Sequence, residues 1–104
     1  MSKSLIIKNI LEEELERNSR MTKRYKKELE HLPRGSIVKR KIGNNEYCYL
    51  SYRENNKVIS KYIGKINEID ISELQKELNK RKDIENILKK LKIEKDDIEK
   101  MLKV

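Results

Sequence analysis

"GSIVKRKIGNNEYCYLSYRENNKVISKYIGK", residues 35–65, decides how the rest of the chain is read. It holds four of the five tyrosines, all three glycines and only two acids, Glu46 and Glu54. "SIVKRKI", "EYCYLSYR" and "KVISKYI" are rich in the β-branched and aromatic residues that fit a pleated surface. Between them stand "GNN" and "ENN". Gly and Asn tolerate the positive φ that tight hairpin turns require. The stretch predicts a three-stranded antiparallel meander over residues 36–63, with turns at Asn44-Asn45 and Asn55-Asn56.

Those turns set a register in which Ile42 opposes Tyr47, Arg53 opposes Val58 and Tyr49 opposes Tyr62. Alternation then sorts the side chains. One face takes Val38, Arg40, Ile42, Tyr47, Tyr49, Ser51, Arg53, Val58, Ser60 and Tyr62. The other takes Ile37, Lys39, Lys41, Cys48, Leu50, Tyr52, Ile59, Lys61 and Ile63. The second set is the more aliphatic and is expected to face the helices, with its lysines reaching out at the edges. The first set is expected to face water. A slip of one residue in the first turn would exchange the faces of the first strand.

Outward from the sheet, Pro33 excludes a helix interior and biases Leu32 away from helical geometry. Before it, Leu11, Leu15, Asn18, Thr22, Tyr25, Leu29 and Leu32 recur at alternating spacings of four and three. That heptad seam predicts a helix from Ser4 to His31. Its polar middle, Asn18 and Thr22, suits a register-fixing role. The seam is expected to pack on another helix of the same chain; a homodimer through Leu11, Leu15, Tyr25 and Leu29 is the alternative. Acids lead the helix (Glu12, Glu13, Glu14 and Glu16) and bases follow, as the macrodipole favours. Arg17, Arg20, Arg24 and Lys27 form a basic stripe turned away from the seam, flanked by Lys23 and Lys26. His31, at the helix end, is expected to cap carbonyls.

After Gly64, "DISELQ" offers two capping boxes, Asp70 with Glu73 or Ser72 with Gln75. Leu74, Leu78, Arg81, Ile84, Ile87, Leu88 and Leu91 predict an amphipathic helix. The pattern loses phase near Ile93, so a break there and a short terminal helix are expected within the helical segment 72–103. A continuous helix is the alternative. The fold class is α+β, a single domain over residues 1–104.

The chain has 104 residues, of which 42% are charged and 36% hydrophobic, so it reads as solvated helices with narrow apolar seams around a small core. The net charge of +8 is unevenly spread. Residues 33–65 carry 8 Lys/Arg against 2 Asp/Glu, whereas residues 66–104 carry 10 of each. The neutral last third therefore reads as scaffold, and the basic middle as the place for an anionic partner. Cys48 is the only cysteine and His31 the only histidine, which leaves no transition-metal cluster. Nucleotide-binding and nucleophile motifs are missing, and "EKDD" at 94–97 lacks the length and glycine of a calcium loop. A non-enzyme without cofactor is expected. The lone thiol fits a cytoplasmic protein, and "LII" at 5–7 is too short for a signal or membrane segment.

"LPRGSIVKRKIGNNEYCYLSYRENNKVISKYIGK", residues 32–65, resembles the short basic three-stranded modules of bacterial mobile-element proteins. These are the amino-terminal sheet domains of some transposases and the arm-type DNA-binding domains of tyrosine recombinases. It is also similar to a stretch "LP-x-GS … Y-x-YL-x-YR … K-x-x-YIGK" of small uncharacterised bacterial proteins. In the arm-type domains the sheet enters the DNA major groove. The resemblance implies contacts through Lys39, Arg40, Lys41, Tyr49, Arg53 and Lys61. No catalytic domain follows these residues, so only the binding module is implied.

Two functions are therefore expected. The first is a small nucleic-acid-binding module of mobile-element or phage origin, favouring DNA over RNA. Its site would be Lys39, Arg40, Lys41, Tyr47, Tyr49, Arg53, Lys61 and Tyr62 on the sheet, with Arg17, Arg20, Arg24 and Lys27 on the helix. The second is a phage- or plasmid-encoded inhibitor, anti-CRISPR-like, that binds a host nuclease or defence complex through the same basic face.

Overall fold

A computed structural model describes residues 4–104 of the chain. The element order is α1 (Leu5–Glu30), β1 (Ser36–Ile42), β2 (Asn45–Glu54), β3 (Lys57–Lys65) and α2 (Ser72–Lys103). The chain is α+β, with one three-stranded antiparallel sheet in the order β1-β2-β3. The described residues gather into two compact units: residues 32–82, and residues 4–31 with 83–104. No helix among the described residues is long and apolar enough to cross a membrane.

In the sheet unit both hairpins turn on two residues. Asn55 and Asn56 both have positive φ (51° and 64°), the type I′ geometry whose twist matches that of paired strands. The first hairpin turns one residue earlier than its sequence suggests. Gly43 (φ 63°) and Asn44 form the turn, and Ile42 pairs with Asn45 rather than Tyr47. Gly43 supplies the positive φ of a type II′ turn, so Asn45 is released into β2. The slip is two residues in register, an even number, so every side chain of β1 keeps its face. Arg40 now opposes Tyr47, and Val38 opposes Tyr49. In the second hairpin Arg53 opposes Val58 and Tyr49 opposes Tyr62, as the turn predicts.

Beyond that point β3 departs from simple alternation. Cys48 pairs with Gly64 although Tyr49 pairs with Tyr62, which leaves Ile63 as the extra residue of a β-bulge. Pairing then continues, with Lys65 opposite Tyr47 and the Ile66 amide donating to the Glu46 carbonyl at 3.0 Å. The sheet thus ends at Lys65, two residues past the expected boundary.

Cys48 is fully buried, and Ile37, Leu50, Tyr52, Ile59 and Ile63 on its face are half-buried. Residues 66–82 return over this unit: Ile69 sits against Gly64, and Arg81 donates to the Leu32 carbonyl at 2.9 Å. Leu78 is buried there, only 2% exposed. Gly35, with φ 113°, lies so close to the Ser51 carbonyl that a β-carbon would collide with it. This is why the chain enters β1 on glycine.

In the helical unit, Ser4 caps α1: its hydroxyl accepts from the Ile7 amide at 3.3 Å. His31 closes the helix through its backbone N–H, which donates to the Glu28 carbonyl at 3.2 Å. The first turn of α1 contains no acid. Glu12–Glu16 lie beyond the reach of the helix dipole, so the dipole does not account for them. The heptad seam is the face that packs: Leu11, Leu15, Thr22, Tyr25 and Leu29 are half-buried, and Asn18 is 1% exposed. The Asn18 amide donates to the Leu91 carbonyl at 2.8 Å and to the Glu94 carboxylate at 3.2 Å, so the middle of the seam is used within the chain.

α2 runs unbroken from Ser72 to Lys103, which removes the expected break near Ile93 and the separate terminal helix. Leu91 and Ile98 are both buried while Ile93 is 62% exposed. Counting exposed Ile93 as a seam member creates the apparent loss of phase; Ile84, Leu88, Leu91 and Ile98 hold one face through it. Neither expected capping box forms at the helix start. Instead the Asp70 carboxylate accepts from the Ser72 amide at 2.9 Å, an Asx turn leading into the first helical bond, from the Gln75 amide to the Ile71 carbonyl.

Candidate nucleic-acid interface

Four side chains of the water-facing side of the sheet form a cluster, and the register explains it. Cross-strand partners in an antiparallel pair stand on the same face about 5 Å apart. Tyr62 faces Tyr49 directly, their ring centroids 5.5 Å apart and edge-on at 61°. The bulge draws Tyr47 to within 6.3 Å of the same ring. Arg40, opposite Tyr47 on the other flank of β2, lays its guanidinium 5.0 Å from the Tyr49 centroid. The rings half-bury one another, and Tyr62 remains 55% exposed. Such stacking at an exposed site contributes about 0.5–1 kcal/mol per contact. Its consequence is that the ring edges and the guanidinium are held in place on this face of the sheet.

Arg53 lies on this face, exposed, one hairpin turn away and opposite Val58. Ser51 faces Ser60 across β2–β3 and Ser36 across β1–β2, adding hydroxyl groups to the centre. Val38, Ile42 and Val58 complete the face as exposed apolar side chains.

The other sheet candidates are not brought to this cluster. Lys39 opposes Cys48, Lys41 opposes Glu46 and Lys61 opposes Leu50, all on the opposite side, and all three are exposed. They lie on the two edge strands, where lysine discourages edge-to-edge pairing. Simple alternation misses one residue. Past the bulge, Lys65 opposes Tyr47 and so joins the Tyr/Arg face. The signal was Gly64 within a strand pattern, a mark of bulges. Arg34 is a second omission; its guanidinium stands 5.4 Å from the Tyr52 ring.

The helical stripe belongs to the other unit. Arg17, Arg20, Arg24 and Lys27 are all exposed along α1. Arg17 reaches the Glu14 carboxylate at 3.4 Å, and Arg24 stands 5.1 Å from the Tyr25 centroid. An exposed pair of this kind is easily displaced by a phosphate. No group of three or more His, Cys, Asp or Glu among the described residues could hold a metal ion.

A protein-family model described as "Domain of unknown function (DUF6788)" matches residues 11–76, covering α1 from Leu11, the whole sheet and the start of α2. No curated protein and no solved structure matches the chain.

Proposed function

This chain belongs to the DUF6788 family, and from the geometry of its sheet we propose that it is a small, non-enzymatic nucleic-acid-binding protein. The observation that carries the reading is the Arg40–Tyr49–Tyr62–Tyr47 cluster on the open side of the sheet. A guanidinium held over a ring keeps its outer N–H groups directed at a phosphate or a guanine edge. Tyrosine rings offer area and hydroxyls to sugars and bases. Arg53 and Lys65 extend the positive field across the face, and the Arg17–Lys27 stripe supplies further phosphate contacts. DNA is the favoured nucleic acid, because the three-stranded sheet resembles the arm-type modules whose sheet enters the major groove. A mobile-element or phage origin and a cytoplasmic location belong to the same proposal.

Fluorescence anisotropy with duplex DNA, single-stranded DNA and RNA at two salt concentrations tests it. Neutralising six phosphates would give a log K against log salt slope of roughly −5 on duplex DNA. Arg40→Ala with Arg53→Ala should weaken binding and flatten that slope by about 2. Absence of binding to all three at low salt sinks the proposal.

A second reading has its own observation. Val38, Ile42 and Val58 leave an apolar margin around the cluster, which suits a protein partner better than a phosphate backbone. The partner would be a nuclease or other nucleic-acid-handling complex that this protein inhibits. A stoichiometric protein captured through the sheet face, with no nucleic acid bound, would select this reading.

A further inference from the structure

We propose that the groove between α1 and the C-terminal half of α2 is a separate anion site that takes a run of linked phosphates. The site lies wholly within the helical unit and does not rest on the reading of the sheet. The groove has a volume of about 480 Å³. Lys26 stands on its α1 wall, and Lys89, Lys92 and Lys95 on its α2 wall. Lys23 joins where the groove continues toward Leu15. Asn18 and Thr22, the polar middle of the seam, lie between the walls with Leu88.

Charge sorting by face is what makes this a site. α2 belongs to a segment of zero net charge; of its acids, Asp96 and Glu99 line the groove, and the Glu94 carboxylate reaches its floor, where it accepts from Asn18. Five lysines converge there, and among the described residues none of them is in an ion pair. Like charges at spacing three on one helix repel, and facing walls of the same sign add to that repulsion. A bound anion would relieve it. A cleft in which lysines outnumber acids, with apolar lysine stems for walls, also concentrates a positive field on what enters. From Lys89 to Lys95 the wall runs about 9 Å along the helix axis, long enough to meet more than one phosphate of a linked chain. The ligand class is therefore an extended chain of phosphates: a nucleic-acid strand or inorganic polyphosphate.

The test uses the full chain and sodium tripolyphosphate at low salt, followed by amide NMR shifts. Shifts should concentrate in residues 18–26 and 88–96. The variant Lys89→Gln/Lys92→Gln/Lys95→Gln should weaken tripolyphosphate binding by about tenfold or more. The charge-matched control Lys39→Gln/Lys41→Gln/Lys61→Gln should leave it nearly unchanged. All six lysines are exposed, and far-UV circular dichroism checks that both variants keep their helices. Equal loss in both variants reduces the effect to net charge and overturns the proposal, as does the lack of shifts in the groove. A single-stranded oligonucleotide then separates the sources. A salt slope flattened by about 2 in the α2 variant assigns the groove to a nucleic-acid strand. An unchanged slope, with tripolyphosphate binding lost, assigns it to free polyphosphate. Loss of DNA binding through Arg40→Ala and Arg53→Ala, or its absence, bears on the sheet alone.

Discussion

Replacing Asn18 by alanine tests the packing of the helical unit most directly. The Asn18 side chain is 1% exposed and makes two hydrogen bonds across to α2. The bond to the Leu91 carbonyl, at 2.8 Å between neutral groups, contributes about 1 kcal/mol. The 3.2 Å bond to Glu94 engages a charge, but Glu94 is exposed and rewets easily, so about 0.5 kcal/mol is a fair share. Truncation also leaves a space where three heavy atoms were, worth about 1 kcal/mol. The Leu91 carbonyl keeps its own helical acceptor role, so no orphaned group adds to the total. Asn18→Ala should thus cost about 2 to 3 kcal/mol. With a urea m-value near 2 kcal/mol/M, the midpoint should fall by about 1 to 1.5 M. Asn18→Leu fills the space without the bonds, and should lie within about 1 kcal/mol of the parent. It also replaces the polar residue in the middle of the seam by an apolar one, so sedimentation should reveal more self-association than in the parent. Urea unfolding followed by circular dichroism decides the matter. An Asn18→Ala cost below about 0.5 kcal/mol would refute the burial of this seam against α2.

Three further outcomes are expected. Gly35→Ala, with φ 113° and the Ser51 carbonyl in the way, should cost more than about 2 kcal/mol in the same assay, whereas Gly43→Ala, at φ 63° in open space, should cost about 1 kcal/mol. Lys65→Gln should weaken nucleic-acid binding while Lys61→Gln should not, because the bulge puts Lys65 on the tyrosine face; equal effects would dismiss the face assignment. Asp70 titrates below the ordinary carboxylate range because the Ser72 hydroxyl and amide hydrogen-bond to its charged form. A depressed folded pKa stabilises above the unfolded value and is lost as pH falls through the folded one. Protection factors of the amides at the start of α2, measured against the intrinsic exchange rate at each pH, should therefore fall at acid pH, and Asp70→Asn should remove that acid limb.

Much of the fold is legible in local chemistry. Ser4 and Pro33 bracket α1, the Asn55-Asn56 pair closes the second hairpin, and strict alternation separates Tyr47, Tyr49 and Tyr62 from Cys48 and Leu50. These are properties of a few neighbouring residues, set by sterics and by strand period, so a linear reading recovers them. Even the misplaced first turn did no harm to the faces, since Gly43 shifted the register by an even number. The apparent break at Ile93 was misleading because one exposed isoleucine looks, in a linear pattern, like a seam residue.

What the tertiary structure alone decided is where distant residues converge. The extra residue Ile63 inverts the parity of everything after it and carries Lys65 to the opposite face. The neutral charge of the last third concealed Lys89, Lys92 and Lys95, which matter only once α1 brings Lys26 to face them. Net charge is a sum over a segment, but an electrostatic site depends on distance and direction. Those quantities are created by packing, and no count along the chain contains them.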